Sequence, residues 1–585
     1  MATSAFDSVE NSFCGVEDKL SSTNRSCGSI EEERAQIPVS EAEDWGESRD
    51  ISLFSGYGFH GSDMMKKQAP FSEDQQQEQL QQSFSEYGLL DNLRNDIASP
   101  PIQTCLDEIA KFSRISTELQ DIIEAKKDIS SPPLELLRNY RSVFKRLSGD
   151  GVLNPHTESK KAELSTSETM RIASARFIQS SSGAADDLEL LGHPYDYYFS
   201  CFSEDEIRNV QLAEILLAAA EKVGCQQFDA ARQLLDRCDE LCCSTGNPVE
   251  RVVYYFSEAL REKIDRETGR VSIKGLGNRM NFDLDEDMMR PSTPRIVNHQ
   301  LVPFSQILQF SAIQTIVENV AEAKKVHVVD FGIWSGVQWM VLMQALVARR
   351  ECSLELLKIT AIGTCLQQVI EDTGKRLETF AQLFNVPFSF KIIMLQDILE
   401  LKEDLFDLDE EESIVVYARF LLKTMISRPE RLESAMKVMK KLNPCVMVVI
   451  EVESNHNSPA FTNRFPEVLF YYSAYFDCLK ECLERDEENR KILESVYFGH
   501  GIRTMLAAEG EERNIRHVKI DVWRAFFSRF GMVEVDLGMA SLYQADLMVK
   551  QFPCGSSCTL DMNGKCLIIG WKGTPIHSIS AWRFE

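Results

Sequence analysis

Three stretches of this sequence hold residue types that could do chemistry. In the first, VHVVDFGIWSGVQW at residues 326–339, an apolar run ends on Asp330 and a glycine-bearing turn, Gly332 and Gly336, leads into an apolar helical pattern. A strand, a glycine turn and a helix entrance in that order bring backbone N–H groups and a carboxylate together, as in many nucleotide and cofactor sites. The second, EVESNHNSPAFTNRF at residues 451–465, gathers Glu451, Glu453, Asn455, His456, Asn457 and Arg464 behind another apolar run. Polar side chains at a strand's carboxyl end can form a site, and they can equally cap the next helix and pair internally, because buried donors and acceptors need partners. The third is CGSSCTLDMNGKC followed by PIH, where Cys554, Cys558, Cys566 and His577 would have to converge on a metal. A C-x3-C start with one distant histidine matches no common zinc spacing, so no metal is expected. CLKEC, Cys478 to Cys482, lies on an expected helix and is a weaker candidate still.

The glycine turn resembles the D-x-G-x-G-x-G turn of S-adenosylmethionine-dependent methyltransferases, with Trp334 standing where the middle glycine would be. An indole there takes the space a cofactor needs. Such sites also want an acidic side chain after the next strand, to hold ribose hydroxyls. Here KITAIGTCLQQ offers Gly363 and Thr364 instead. No Walker A loop and no H-E-x-x-H is present. The expectation is a chain that is not an enzyme and holds no cofactor. The alternative is a methyltransferase-like enzyme or small-molecule sensor using a crevice around Asp330, Gly332, Gly336 and His456.

These stretches sit within a regular alternation. QILQFSAIQTIVENVAEA reads as helix, VHVVDF as strand, GVQWMVLMQALVARR as helix and LLKITAIG as strand. LQQVIEDTGKRLETFAQLF is helix again, FSFKII and SIVVYAR are strands, and PERLESAMKVMKKL is a helix leading to the strand CVMVVIEVE. Alternation of this kind implies crossover units and a doubly wound, mainly parallel α/β core covered on both faces. Ahead of it, VQLAEILLAAAEKVG, FDAARQLLDRCDELCC and VERVVYYFSEALREKI each carry apolar residues at helical spacing. Gly224 and Pro248 interrupt any heptad run, so packed cap helices are expected in place of a coiled coil.

The expected organisation is a disordered acidic and Gln-containing region at 1–103, a partly helical variable region and linker at 104–205, and a domain at 206–585. Within that domain the helical cap spans about 206–265 and the α/β core about 300–585. EDQQQEQLQQS, at 73–83, typifies the first region, which has too little apolar surface to offset its ordering entropy. A net charge of −27 argues against a broad surface for phosphate backbones, so any action on genes is expected to run through a partner, with direct DNA binding as the minority alternative. No apolar run is long enough for a membrane span, and the first residues lack a secretory pattern. The sixteen cysteines are scattered through the chain, as expected for reduced, packed thiols.

From about Val210 to Phe584 the motifs resemble those of the plant GRAS family of transcriptional regulators. LAEILLAAAEKVG through RVVYYFSEAL is similar to the first leucine-rich region, and VHVVDF, with Val326, His327, Val328, Val329 and Asp330, to the VHIID core. LETFAQLFNVPFSF, with Pro387 and Phe388, is similar to the second leucine-rich region. The run from RPERLES through YYSAYFDCL, with Arg464, resembles the PFYRE region, and the SAW region is matched at Trp523, Trp571 and Trp582. Departures fall at Gly332, Ser335, Met340 and Val452. The DELLA subfamily's Asp-Glu-Leu-Leu-Ala and Val-His-Tyr-Asn-Pro motifs are not found in residues 1–205, so its hormone-triggered degradation is not carried over.

The resemblance implies a Rossmann, methyltransferase-like core with a helical cap, in a nuclear, non-catalytic regulator. It implies binding to DNA-binding transcription factors and to other GRAS proteins as homo- or heterodimers. Amphipathic cap helices are the natural contact surface, and Leu212, Leu216, Leu234, Leu235 and Phe256 are the expected partner-binding residues.

Overall fold

The computed structural model describes residues 163–181, 202–270, 293–513 and 516–585. The expectations for residues 1–103 and for the helical pattern and linker up to residue 162 lie outside the described residues.

The helices begin where the sequence supplies caps. Helix α1 is Thr166–Ser181. Helix α2, Glu204–Gly224, starts at Ser203, whose hydroxyl accepts from the Glu206 N–H while the Glu206 carboxylate accepts from the Ser203 N–H. Helices α3, Phe228–Leu241, and α4, Pro248–Glu267, follow. Asn247 caps α4 by accepting from the Glu250 N–H, and Pro248 takes the first position, where a missing N–H does no harm. Helices α5, Thr293–Leu301, and α6, Pro303–Asn319, lead into the sheet.

The core alternates as expected. Strand β1 is Lys325–Asp330, α7 Val337–Val347, β2 Leu356–Gly363, α8 Gln367–Leu383 and β3 Phe388–Met394. Strand β4 is Glu412–Arg419, α9 Pro429–Leu442 and β5 Val446–Val452. These five strands pair in parallel in the order β3-β2-β1-β4-β5. β5 is buried at every position, which is why it reads as an unbroken apolar run.

Beyond β5 the chain adds helices α10, Phe461–Cys482, and α11, Glu487–Ile492, which passes through a π-helical turn into α12, Gly499–Leu506. Helix α13, Ile520–Ser528, strand β6, Met532–Val535, and helix α14, Met539–Gln551, follow. Strands β7, Cys558–Asn563, β8, Cys566–Trp571, and β9, Thr574–Phe584, complete the sheet as an antiparallel extension. β9 pairs with β5, β6 and β8, joining the parallel half to the antiparallel half.

The helical layer draws on more of the chain than the stretch at 206–265. α1 packs on α2 and α10, while α4 packs on α10 and α12. Met170 and Ala173 of α1 are fully buried in the same core as Leu216, Phe256 and Phe476.

Candidate functional site

The crevice beyond the carboxyl ends of β1 and β4 is the natural ligand position in this architecture. Gly332 (φ +147°) and Gly336 (φ +72°) let the chain turn tightly there. At Gly336 a Cβ would lie 2.8 Å from Thr373 Cγ2, so the second glycine also allows α7 to approach α8. Asp330 does not face the crevice with a free carboxylate. Its Oδ2 accepts from Trp339 Nε1 at 2.7 Å, fastening α7 to β1, and burial pushes its carboxyl up to about 7.

The mouth is filled by the protein's own rings and cations. A Cβ built on Gly332 would lie 3.7 Å from Trp334 Nε1, so the indole folds back over the turn. The guanidinium of Arg419 lies 5.3 Å from the Trp334 ring on one side, and that of Arg295 lies 5.6 Å from it. Phe420 follows at 6.1 Å from Trp334 and packs, tilted, on His577 at 5.1 Å. At the end of β2, Gly363 offers no acid, and a Cβ there would collide with Ile370 Cδ1 at 2.4 Å. The residues present do not fit S-adenosylmethionine: the space above the first glycine holds an indole, and Gly363 and Thr364 stand at the end of β2 where a carboxylate would hold ribose hydroxyls.

The polar cluster after β5 is consumed internally. His456 is fully buried, with Nε2 2.7 Å from Ser454 Oγ and Nδ1 2.8 Å from His517 Nδ1, and burial pushes its imidazole down to about 3. It is not paired with Asp330, so the expected crevice around Asp330, Gly332, Gly336 and His456 resolves into two separate structural sites. Glu453 accepts from the Ile520 N–H at 3.1 Å and caps α13. Glu451 accepts from the Lys423 N–H at 3.3 Å, and burial pushes both carboxyls up to about 7. Arg464 is fully buried and donates to the carbonyls of Met505, Ser458 and Pro459 and to Glu509 Oε1 at 2.6 Å. These groups are neutral or pinned, and none is poised as an acid or base beside open space.

A string of rings links the two places. His577 Nε2 lies 2.7 Å from the Tyr475 hydroxyl, Tyr475 packs on Tyr471 at 5.3 Å, and Tyr471 on His456 at 5.1 Å. Sequence reasoning missed Trp339, Arg419, Phe420, Tyr475 and His517 as parts of this assembly. The signal that could have found Arg419 and Phe420 was their place at the carboxyl end of β4, beside β1.

The remaining motif residues are structural. His327 is fully buried between Glu412 Oε2 at 3.0 Å and Thr360 Oγ1 at 2.8 Å, crossing from β1 to both neighbouring strands. Burial and Lys358 push its imidazole down to about 4. Val326, Val328 and Val329 are fully buried, and the Pro387 carbonyl accepts from the Leu357 N–H where Phe388 opens β3. Trp571 Nε1 donates to Asp477 Oδ2 at 2.9 Å, and Trp523 and Trp582 pack on either side of Phe527.

The proposed partner-binding leucines need correction. Leu212 is 4% exposed, and Leu216, Leu235 and Phe256 are fully buried inside the cap, so they cannot offer contact surface in the folded chain. Leu234 is half-buried. Helical periodicity marked an apolar face, and that face meets α1, α10 and the other cap helices instead of a partner. Cys554, Cys558, Cys566 and His577 do not converge: Cys558 lies in the cap-side core, Cys566 in the opposite core, and His577 against Tyr475. Among the described residues no group of three or more His, Cys, Asp or Glu could hold a metal ion, and no helix is long and apolar enough to cross a membrane.

A GRAS domain family model matches residues 212–583. The chain is 29% identical to the DELLA protein GAIP of Cucurbita maxima over 445 residues, 75% of this chain and 72% of that one. It is 31% identical to the DELLA protein RGL1 of Arabidopsis thaliana over 379 residues, 64% of this chain and 70% of the relative. The crystal structure of SCL7 in Oryza sativa is similar with a TM-score of 0.55 at 26% identity, covering 64% of this chain and 99% of that one. With its sheet, cap and motif tryptophans placed as described, this chain belongs to the GRAS domain family of plant regulators.

Proposed function

We propose that this chain is a nuclear transcriptional co-regulator that acts by binding DNA-binding transcription factors and other GRAS proteins, in plant development, hormone or symbiosis signalling. The observation that carries the reading is the closed crevice: Trp334, Arg295, Arg419 and Phe420 occupy the place where a related catalytic fold would hold its cofactor. The net charge of −27 supports reaching DNA through a partner. Since four of the five cap residues first suggested are internal, the contact surface shifts to the outer side of α3. Half-buried Leu234 and Leu241, 55% exposed, lie seven residues apart there on one face.

The test is affinity purification of the tagged full chain from plant nuclear extract, beside a Leu234→Glu, Leu241→Glu double variant with an unchanged melting temperature. DNA-binding factors or other GRAS proteins should enrich with the first and vanish with the second. Enrichment of neither class with the unaltered chain overturns the reading. Leu216→Glu is the wrong probe, because a carboxylate in that core unfolds the cap. Calorimetric titration with S-adenosylmethionine addresses the enzyme or sensor alternative, and a binding isotherm would revive it.

A further inference from the structure

Two cysteine pairs that look unrelated in sequence meet in the fold. Cys478 and Cys482 lie one turn apart on α10, with sulfurs 3.7 Å apart. The turn between α14 and β7 carries Cys554 to α10, placing its sulfur 3.1 Å from that of Cys482. Gly555 makes this approach possible: a Cβ there would lie 2.2 Å from the Val549 carbonyl oxygen, so only glycine lets the turn fold against the end of α14. Cys558 follows at the start of β7, buried beside the others.

We infer that Cys482 and Cys554 are a reversible oxidation site, closing a disulfide between the cap helix α10 and the antiparallel part of the sheet. The choice of pair follows from geometry and access. Residues four apart on a helix hold their Cβ atoms about 5–6 Å apart, beyond the roughly 3.5–4.5 Å that a disulfide spans, so Cys478 cannot close onto Cys482 without unwinding α10. Cys482 and Cys554 come from different elements, and both are half-buried and reachable, whereas Cys478 and Cys558 are buried. With hydrogen peroxide as oxidant, one thiolate attacks a peroxide oxygen, giving a sulfenic acid and releasing one water. The second thiol then displaces the second water as the S–S bond forms. Two thiols lose two electrons and two protons, and the peroxide is reduced to two waters.

The surroundings set the character of the site. Hydrogen bonding among the thiols, with burial, pushes Cys482 and Cys554 well above the ordinary thiol range. Little thiolate is present at neutral pH, so the reduced pair reacts slowly. The disulfide, once closed, is not opposed by a stabilised thiolate and persists until it is actively reduced.

Trypsin gives a clean readout on the full chain, because cleavage after Lys480 separates Cys482 from Cys478. After peroxide treatment, alkylation and digestion, the major linked species should join Glu481–Arg485 to Gln551–Lys565, and dithiothreitol should dissolve it. Fragmentation should place the bond at Cys554. Cys554→Ser should remove the link and Cys558→Ser should retain it, each variant first shown to be folded by circular dichroism, since Cys558 lies in the core. A link that survives in Cys554→Ser through Cys558 overturns the assignment. So does irreversible sulfonic acid at Cys482 with no link, or one zinc ion per untreated chain with these thiols shielded from alkylation.

Discussion

The crevice beyond β1 and β4 and the joint beneath α10 are both built from buried polar side chains, and they use them in opposite ways. At the joint a single carboxylate organises everything. Asp477 accepts from the Thr166 N–H at 3.2 Å, from Trp571 Nε1 at 2.9 Å and from Lys572 Nζ at 2.7 Å, fixing α1, α10 and β8 together. In the crevice, tilted and edge-on rings fill the space, and the Tyr417 hydroxyl and Arg419 Nε meet no protein hydrogen-bond partner among the described residues. A joint held by charge-assisted hydrogen bonds has one solution. A crevice filled by rings and guanidinium groups keeps the polarity of a ligand site without the space for a ligand.

That contrast can be broken by substitution. Asp477→Ala should have the largest effect, about 2–4 kcal/mol, because it leaves the Thr166 N–H and the Trp571 N–H without their buried acceptor, while Lys572 keeps Glu481. Urea denaturation would measure it, and a loss below about 1 kcal/mol would show that the joint is held by apolar packing instead. Trp339→Phe should cost about 1.5–3 kcal/mol by removing the donor to the buried Asp330. Trp334→Ala should cost only about 1–2 kcal/mol, since its ring is half-buried and its cation contacts are worth about 0.5–1 kcal/mol each. If the ring only fills space, this variant should still show no heat with S-adenosylmethionine, because β2 still lacks its acid.

A pH slope probes the same crevice through its carboxylate. The Asp330 carboxyl titrates near 7 in the fold against an ordinary value of 3.8, so the folded chain holds the proton more tightly and this group adds stability as pH falls from about 7 towards 4. His327, at about 4 against 6.5, works in the opposite sense and removes stability as pH falls through that window. Asp330→Asn deletes the first contribution alone. Its melting temperature should therefore fall more steeply than that of the unaltered chain between pH 7 and pH 4. Parallel slopes would place Asp330 in a more solvated setting than the geometry gives it.

Sequence and structure agree where burial follows a simple period. The strands β1, β2, β4 and β5 are covered on both faces and read as apolar runs, and the helices between them carry caps or turns that mark their ends. β9 escapes such reading because His577, Ser578 and Ser580 are buried within it: His577 meets Tyr475 and Ser578 the Glu451 carbonyl, both far along the chain, while Ser580 accepts from Trp582 two residues on. The cap leucines show the other limit. Spacing tells which face is apolar, but only the position of α1 and α10 tells that Leu216 and Phe256 face inward. The joint is invisible for the same reason: Thr166 and Asp477 are 311 positions apart. At the crevice, Trp334 in place of a glycine was legible as an obstruction, whereas the cations and rings that surround it were not.

The place of β9 has a consequence for synthesis. It is the last strand in chain order, yet it lies in the interior of the sheet, hydrogen-bonded to β5, β6 and β8. A ribosome delivering this chain cannot complete the sheet until residue 584 has cleared the exit tunnel, so β5 travels with a bare edge for more than a hundred residues of translation. Joining of the parallel half to the antiparallel half waits for β9, and the nascent protein depends until then on whatever shields that edge.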